Sequence, residues 1–373
     1  MIDNKDLINK IKSYNKFLNP TTLNKAYNFA VNNHKHQKRK SGDPYVNHPI
    51  AVANILSDLR LDSATIVTGL LHDTIEDTKA TYELVTKEFG KEVADLVDGV
   101  TKISALEDKA LENSRAENFR KLILATSKDI RVLLVKIADR LHNMRTVKAF
   151  DSVEKQKRIA KETMEIYAPL ADRMGMNRIR DELEDLSFDI LNKDARDLIQ
   201  KRLKFIKNNR EDNFKTISTE LISILKSNGI IAKIAGREKT PFSIWRKIQN
   251  KKISLEQLSD IIGFRILLNN VDDCYKTLGV FHSKYSAIPG RFKDYISTPK
   301  INKYKSIHTA VIGPNKQRIE IQIRTHEMHE FAERGIASHW KYKSSEKFSD
   351  LSWREYDWLK DLVEIIENGN SPE

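Results

Sequence analysis

The chain has 373 residues, of which 40% are hydrophobic and 31% charged, as in a soluble globular protein long enough for two domains. No stretch approaches the roughly 20 apolar residues of a membrane span, the charged N-terminus lacks a signal-peptide apolar region, and a lone cysteine, Cys274, excludes an intrachain disulfide, so a cytoplasmic location is expected. The net charge of +12 favours phosphate-rich partners without distinguishing nucleic acids from nucleotides.

Apolar residues recur at helical spacing through the first half of the chain, and no strand pattern interrupts them. The predicted helices are 23–34, 46–60, 62–76, 81–100, 115–126, 128–149, 153–173 and 176–192. The first half is therefore predicted to be all-α.

The pattern changes after about residue 200, where strands alternate with helices. The predicted strands are 230–235, 261–268, 307–312 and 318–324, and the predicted helices are 196–227, 241–250, 271–284, 325–340 and 350–366. Residues 313–316, Gly-Pro-Asn-Lys, form a hairpin connection between the last two strands. This half is predicted to be α+β, with a domain boundary near 195–200.

Residues 71–77, Leu-His-Asp-Thr-Ile-Glu-Asp, are the most informative segment of the helical half. On a helix, His72 and Glu76 lie one turn apart, and so do Asp73 and Asp77. An imidazole beside a carboxylate suits Mn, Fe or Zn, and the acidic pair one turn along could orient or deprotonate a water. A lone His-Asp pair also occurs often by chance.

Another carboxylate and another imidazole extend this possible ligand set. Asp139 lies in a predicted helix that is apolar on two faces, so its carboxylate is predicted to be buried and to need a partner. A metal would satisfy it, as would an arginine such as Arg140. His48 lies at a further predicted helix start. Each residue alone has an ordinary structural explanation, but His48, His72, Asp73 and Asp139 together on a helical background are much more specific.

This set resembles the HD phosphohydrolase superfamily, whose ligands hold a metal that activates water against phosphate esters. Residues 36–49, HQKRKSGDPYVNHP, closely resemble the opening motif of the alarmone synthetase–hydrolases of the Rel/SpoT type. The resemblance implies Mn²⁺ in this site and Glu76 and Asp77 as catalytic residues. The alarmone-binding residues that it implies are Arg39, Lys40, Ser41, Asn143 and Thr146.

Residues 236–247, GREKTPFSIWRK, follow a predicted strand and open a helix. Their cationic and hydroxyl side chains would surround a triphosphate near the helix N-terminus, although the spacing is not that of a P-loop. An ordinary basic helix start would look the same. The side chains concerned are Arg237, Lys239, Ser243 and Lys247.

Further polar residues stand beside the predicted strands. Asp260 precedes an apolar strand, where it suits Mg²⁺, although a cap or turn role is commoner. Glu320 lies on the polar face of the alternating strand 318–324, a face that is either exposed or the floor of an active site. Tyr304 supplies an aromatic platform for a base, and His308 supplies a hydrogen-bond donor for phosphate.

Together these strings resemble the synthetase domain of the same family, a nucleotidyltransferase-like α+β fold with a mixed sheet. The resemblance implies transfer of the β,γ-pyrophosphate of ATP to the 3′-hydroxyl of GDP or GTP, giving (p)ppGpp and AMP. The implied roles are adenine stacking by Arg237 and Arg265, ATP phosphate binding by Lys239, Ser243 and Lys247, Mg²⁺ binding by Asp260 and Glu320, proton acceptance by Glu320, guanine stacking by Tyr304 and phosphate binding by His308.

Residues 291–294, Arg-Phe-Lys-Asp, resemble the basic specificity loop of bifunctional family members, so Arg291, Lys293 and Asp294 predict synthesis together with hydrolysis. One departure is Lys303, where the family usually has glycine. Losing that glycine removes easy access to positive φ and predicts an altered loop before Tyr304.

Two alternatives stay open. The chain could act predominantly as a hydrolase with a degenerate synthetase domain, or as a basic RNA-binding module. Asp260 and Glu320 argue against the second alternative, because carboxylates repel a phosphate backbone, and no direct nucleic-acid binding is expected.

The predicted division is a hydrolase over 1–150, connecting helices over 151–198, a synthetase over 199–343 and a closing helix and tail over 344–373. Bifunctional members of the family usually continue into a C-terminal region that senses the ribosome. Any ribosome contact is therefore expected only through a region beyond Glu373, and the expected partners of this chain are ATP, GDP, GTP and (p)ppGpp.

Overall fold

The computed structural model of the chain describes residues 3–109, 129–208, 211–252 and 262–339. Two compact units divide this structure, one ending at Ser152 and the other running from Val153 to His339. No helix in the described ranges is long and apolar enough to cross a membrane. The helices predicted at 115–126 and 350–366, and the predicted magnesium ligand Asp260, lie outside the described residues.

The first unit is helical, apart from an isolated bridge between Lys38 and Pro44. Its helices are α1, Asn4–Lys12; α2, Pro20–Asn33; α3, Asn47–Asp58; α4, Ser63–Leu71; α5, Thr74–Asp77; α6, Tyr82–Phe89; α7, Lys91–Lys109; and α8, Ile130–Arg145, which a 3₁₀ turn over Val147–Ala149 follows.

Helix α8 is the centre of the first unit, because every side chain from Ile130 to Leu141 is buried. The buried guanidinium of Arg131 is neutralised by Asp62, Glu92 and Asp129, at distances of 3.3, 2.6 and 2.7 Å. Asp129 also caps α8 by accepting a hydrogen bond from the Arg131 amide. These contacts fix the depth of α8 in the unit.

Helices α3 and α4 pack closely because Gly69 has no side chain. A Cβ at this position would lie 2.5 Å from Leu56 Cδ1 and 3.4 Å from the Ala53 Cα. The close approach brings the first turn of α3 near the end of α4.

The predicted helix over 62–76 is wrong in one respect that matters for the site. Helix α4 ends at Leu71 and α5 begins at Thr74, so His72 and Asp73 lie at a break rather than within one helix. The predicted helix over 81–100 is likewise interrupted at Gly90. Helix α1 was not predicted.

The second unit begins with helices and continues into a sheet. Its helices are α9, Val153–Glu162; α10, Ala168–Arg173; α11, Asn177–Leu191; α12, Lys193–Asn208; α13, Glu211–Ser227; α14, Pro241–Lys251; α15, Val271–Lys284; and α16, His326–Arg334, with a π-helical turn over Thr163–Tyr167 between α9 and α10. Its strands are β1, Lys233–Glu238; β2, Ile262–Leu268; β3, Ser286–Ala287; β4, Lys293–Asp294; β5, Ile307–Ile312; and β6, Arg318–Thr325.

The strands form one sheet in the order β1-β2-β6-β5-β3, and β4 pairs with β5. Strands β2 and β6 are parallel, and the remaining pairs are antiparallel. The predicted mixed sheet is confirmed, as is the order of an all-α part followed by an α+β part.

The two faces of β6 differ in chemistry. Ile319, Ile321 and Ile323 join the apolar core that α13 and α15 form with the sheet. The alternate residues on β6 face the other way. Of these, Gln322 and Arg324 are buried, so the polar face is not a solvated one.

The remaining differences from the predictions lie in short or polar segments. Strand β1 begins at Lys233 rather than at 230, and the predicted helix 196–227 is two helices, α12 and α13. Strands β3 and β4 have two residues each, too few to show an alternation. The four-part domain division stays a prediction; helices α9–α11 belong to the same compact unit as the sheet.

Candidate functional site

Four predicted metal ligands meet in the first unit. His48 lies in the first turn of α3, His72 and Asp73 in the break after α4, and Asp139 in α8. His48 Nε2 is 3.1 Å from Asp139 Oδ1 and 3.5 Å from Asp73 Oδ2, while His72 Nε2 is 3.1 Å from Asp73 Oδ1. One ligand atom from each of His48, His72 and Asp139 lies within 4.8 Å of the others.

The hydrogen bonding of His72 shows that this cluster fits a cation. Its Nδ1 is 2.9 Å from the Gly69 carbonyl, which can only accept, so Nδ1 carries the hydrogen and Nε2 carries the lone pair. Nε2 is buried without a hydrogen-bond partner, and its lone pair faces a carboxylate oxygen of Asp73 at 3.1 Å. A divalent metal between them would satisfy both groups.

The charges in the cluster are set by burial and by each other. Burial raises the pKa of Asp139, but Lys136 and His48 outweigh it and hold that pKa well below its usual range. The Lys136 ammonium is itself buried, 3.2 Å from Asp139 Oδ2 and 3.0 Å from Ser104 Oγ. Burial also lowers the pKa of His48, which favours the neutral imidazole that a metal requires.

Tyr45 joins a predicted ligand to a predicted catalytic residue. Its hydroxyl oxygen is 2.7 Å from Asp73 Oδ2 and 2.8 Å from Asp77 Oδ2, so its single hydrogen is within reach of both carboxylates. Burial, reinforced by Asp73, raises the pKa of Tyr45, so the hydroxyl keeps its proton. Glu76 and Asp77 are exposed on α5. The sequence reasoning missed Tyr45, although it lies within the segment 36–49 that carries the resemblance.

Three of the five predicted alarmone contacts lie together. Arg39 Nη2 donates to Asn143 Oδ1 at 2.9 Å and to Thr146 Oγ1 at 3.2 Å. Asn143 in turn donates to Asp139 Oδ1 at 2.6 Å, which links this group to the metal cluster. Lys40 is exposed, and the Ser41 hydroxyl donates to Asp43 of its own loop at 2.7 Å.

His142 is a further residue at this site that the sequence reasoning missed. Its Nδ1 is 2.8 Å from His48 Nδ1, and the two ring centroids are 4.9 Å apart. Burial, then the neighbouring His48 and the Arg39 guanidinium, lowers the pKa of His142 to about 3. His142 is therefore a neutral imidazole in the folded protein.

The second unit contains a cavity of about 690 Å³ over the polar face of the sheet. Three predicted nucleotide-site residues line it: Arg265 from β2, Tyr304, and His308 from β5. Gln322 and Arg324 from β6 form part of its lining. Helix α11 contributes a wall that the sequence reasoning missed, comprising Asn177, Arg178, Arg180, Asp181, Glu182, Asp185 and Leu186.

Aromatic rings and a lysine surround the predicted guanine platform. The Tyr304 hydroxyl is 2.8 Å from His308 Nε2, and the Lys300 ammonium lies 5.1 Å from the Tyr304 ring centroid. Lys303 has a φ of 58°, and its amide donates to the Lys300 carbonyl at 2.8 Å. Lys303 thus adopts the left-handed conformation that glycine would reach more easily, and an altered loop before Tyr304 stays a prediction.

The predicted phosphate and Mg²⁺ residues are only partly brought together. Lys239 Nζ is 2.6 Å from Glu320 Oε2. Ser243 lies in the first turn of α14, which Thr240 caps, and Lys247 lies one turn further along. The backbone of Arg237 pairs with Gly263 in the sheet.

The predicted specificity loop lies at the surface. Arg291 and Lys293 are exposed. Asp294 accepts hydrogen bonds from the amides of Ile296 and Ser297, at 2.8 and 3.1 Å. Burial raises the pKa of Asp294, but the bonds from Ser297 and Ile296 outweigh it and lower that pKa.

Comparison with known families accounts for both units. Residues 26–177 match the HD domain, and residues 236–347 match the region found in RelA and SpoT proteins. The chain is 49% identical over 373 residues to a GTP pyrophosphokinase rsh of Brucella melitensis, covering 99% of this chain and 50% of that protein. The chain therefore combines an HD domain with the region found in RelA and SpoT proteins.

Other relatives of this chain carry the name of a hydrolase. A guanosine-3′,5′-bis(diphosphate) 3′-pyrophosphohydrolase of Aquifex aeolicus is 48% identical over 351 residues, covering 94% of this chain and 50% of that protein. One of Haemophilus influenzae is 45% identical over 341 residues, covering 91% and 50%. The chain spans about half the length of these curated relatives.

Two solved structures align with parts of this chain. A metazoan orthologue of SpoT is 27% identical with a TM-score of 0.33, covering 46% of this chain and 87% of the other. The small alarmone synthetase 1 of Bacillus subtilis, bound to pppGpp, is 24% identical with a TM-score of 0.30, covering 45% and 96%. With TM-scores this low, neither likeness contributes to the assignment.

Proposed function

We propose that this chain is a bifunctional alarmone enzyme of the stringent response. One site hydrolyses (p)ppGpp at its 3′ position to GDP or GTP and pyrophosphate. The other transfers pyrophosphate from ATP to the 3′-hydroxyl of GDP or GTP, giving (p)ppGpp and AMP. We assign hydrolysis to residues 1–150 and synthesis to residues 199–343, joined by the helices of 151–198.

One observation carries the proposal most directly. Residues from α3, the break after α4, and α8 bring their ligand atoms within 4.8 Å, with the lone pair of His72 Nε2 facing into the cluster. An HD domain with such a cluster supports metal-assisted hydrolysis of a phosphate ester. The names of the relatives, which include both a pyrophosphokinase and a 3′-pyrophosphohydrolase, support the two opposing reactions.

In the proposed hydrolase site, His48, His72, Asp73 and Asp139 hold a divalent metal, which we propose is Mn²⁺. When bound, the metal supplies a Lewis acid for the 3′-diphosphate and lowers the pKa of the attacking water. Glu76 and Asp77 accept the proton of that water and return it to the departing 3′-oxygen.

The surrounding residues of the hydrolase site bind and orient. Tyr45 holds Asp77 at 2.8 Å, so the orientation of that carboxylate depends on the Tyr45 hydroxyl. Arg39, steadied by Asn143 and Thr146, binds the guanine nucleotide, with Lys40 and Ser41 of the same loop contributing contacts.

In the proposed synthetase site, Tyr304 stacks on guanine while Arg265 and Arg237 hold adenine. Lys239, Ser243 and Lys247 bind the phosphates of ATP, and Asp260 and Glu320 hold Mg²⁺. The Lys239–Glu320 ion pair must separate as the triphosphate takes up the ammonium group. Glu320 then accepts the proton of the attacking 3′-hydroxyl, and AMP leaves. Arg291, Lys293 and Asp294 tune the choice of acceptor.

A nucleotide-conversion assay by anion-exchange chromatography tests both reactions. One arm contains ATP, GDP or GTP, and Mg²⁺; the other contains (p)ppGpp and Mn²⁺. Glu320→Gln is expected to lower AMP formation by at least about 10²-fold and to leave hydrolysis unchanged. Asp73→Asn is expected to lower hydrolysis by a similar factor and to leave AMP formation unchanged. The double variant serves as the blank in both arms.

The outcomes separate the alternatives. Turnover in the hydrolysis arm alone would replace the proposal with a hydrolase that carries a degenerate synthetase domain. Loss of both activities in either single variant, with the circular dichroism of the wild type, would contradict the assignment of separate sites. Silence of the folded wild type in both arms would refute the proposed function.

A further inference from the structure

We propose that His142 is a positioning residue that accepts a hydrogen bond from His48 Nδ1–H when a metal is bound, and so presents the His48 Nε2 lone pair to that metal. The inference rests on the proposed hydrolase site, because it concerns how one of that site's ligands is held. His142 belongs to the same helix, α8, as the ligand Asp139.

The geometry between the two rings supplies the first step. His48 Nδ1 and His142 Nδ1 are 2.8 Å apart, a distance at which one nitrogen must donate and the other must accept. The His48 ring is 2% exposed, so its Nδ1 has no access to bulk solvent. His142 is therefore the hydrogen-bond partner of His48 Nδ1, and it must accept whenever that nitrogen carries the hydrogen.

The other edge of His48 supplies the second step. Its Nε2 faces two carboxylate oxygens, Asp139 Oδ1 at 3.1 Å and Asp73 Oδ2 at 3.5 Å. Where no cation is bound, the tautomer with a hydrogen on Nε2 donates to Asp139, and Nδ1 then accepts from His142. Where a cation is bound, Nε2 must offer its lone pair, and the hydrogen must move to Nδ1.

His142 serves both states because an imidazole both donates and accepts. As the cation binds, it displaces the hydrogen of His48 Nε2, His142 Nδ1 passes its hydrogen to His48 Nδ1 and then accepts from it, and His142 takes up a hydrogen at its own Nε2. His142 is only partly buried, whereas His48 is enclosed. The pair thus lets a buried ligand change tautomer as the cation enters and displaces the hydrogen of Nε2.

The two ligand histidines are held by different kinds of partner. His72 Nδ1 faces the Gly69 carbonyl at 2.9 Å, an acceptor that keeps one tautomer permanently. His48 faces a group of variable tautomer instead. Partners in this position typically change metal affinity by about 10–100-fold when removed.

The test uses the full chain stripped of metal, with Mn²⁺ affinity measured by isothermal titration calorimetry. His142→Phe keeps a ring but removes the acceptor, and it is expected to weaken Mn²⁺ binding by about 10–100-fold. His142→Asn places an amide group near the position of Nδ1, and it is expected to restore affinity to within a few-fold. His36→Gln, an exposed histidine of the same unit, is the matched control and is expected to bind as the wild type does.

A second measurement keeps the test independent of the variants. Proton-coupled ¹⁵N spectra of histidine-labelled wild type, loaded with diamagnetic Zn²⁺, are expected to show the hydrogen of His48 on Nδ1. Affinity of His142→Phe within twofold of the wild type, equal losses in the Phe and Asn variants, or a His48 Nδ1 without hydrogen would each overturn the inference. Absence of Mn²⁺ binding by the wild type would instead refute the proposed metal site itself.

Discussion

Gly335 offers the sharpest test of how the second unit is packed. It has a φ of 60° and a ψ of −137°, a conformation that side-chain-bearing residues rarely adopt. A Cβ at this position would lie 2.1 Å from the Met174 carbonyl oxygen and 2.7 Å from the Met176 amide nitrogen. These are backbone atoms, so a Gly335→Ala variant cannot relieve the overlap by moving a side chain.

The expected cost follows from three contributions. The backbone conformation costs an alanine about 1–3 kcal/mol. Overpacking against fixed atoms typically adds about 1–3 kcal/mol. Separating the segments also strains the bond from the Ile336 amide to the Met174 carbonyl, 3.0 Å in length and worth about 1 kcal/mol. The three contributions are not additive, because one local backbone shift relieves part of each of them. Gly335→Ala is therefore expected to lower the free energy of unfolding by about 3–5 kcal/mol.

Gly279 provides the matched control. It is an exposed residue inside α15, and beyond its chain neighbours and the local helix backbone no atom lies within 4 Å of the position that its Cβ would take. Gly279→Ala is expected to raise the free energy of unfolding by about 0.5–1 kcal/mol, because alanine favours a helix interior. Urea unfolding followed by circular dichroism measures both variants. A Gly335→Ala variant within 1 kcal/mol of the wild type, alongside the expected gain in Gly279→Ala, would refute the reasoning.

Three further predictions concern the loop before Tyr304 and the metal site. Lys303→Gly is expected to raise the free energy of unfolding by about 0.5–1 kcal/mol, because a φ of 58° is unfavourable for lysine and glycine adopts it freely. Urea unfolding measures the change, and a lower free energy of unfolding in the variant would show that the Lys303 side chain stabilises the loop. Mn²⁺ at a hundredfold excess over its dissociation constant is expected to stabilise the wild type by about 2.7 kcal/mol and His72→Gln by almost nothing. Adding a chelator should reverse the stabilisation of the wild type. Equal stabilisation of both proteins would show that the ion binds elsewhere. Lowering the pH from 7 to 5 is expected to destabilise the metal-free protein through His142, whose folded pKa of about 3 lies below its unfolded value, so the unfolded chain binds more protons. The contribution is about 2 kcal/mol at most and about 1 kcal/mol after solvent screening, and a pH dependence unchanged in His142→Asn would contradict it.

The residues of the metal cluster could be predicted because their chemistry follows from the residue types alone. A carboxylate in a helix that is apolar on two faces has few explanations, and Asp139 is buried as its position required. The break at His72 and Asp73 could not be predicted, because the apolar periodicity continues across it. Tyr45 and His142 escaped for another reason: their roles depend on contacts with Asp73, Asp77 and His48, which sequence spacing does not reveal.

The same distinction applies to the second unit. Strand β6 was predicted closely because its alternation is regular over a full strand. The wall of the cavity on α11 was not, since Arg178, Asp181 and Asp185 read as an ordinary charged helix face in the sequence. At Lys303 the general rule that positive φ favours glycine holds, but the surrounding loop keeps a lysine in that conformation.

Strand β6 has a consequence for how this unit can change over evolutionary time. Its isoleucines belong to the apolar core, whereas Gln322 and Arg324 line the cavity. Deleting one residue from the strand would exchange the two sets, turning hydrocarbon towards the cavity and charge into the interior. Substitutions can therefore retune the floor of the cavity one residue at a time. Insertions and deletions, by contrast, are expected to be tolerated in the β5–β6 connection rather than within the strand itself.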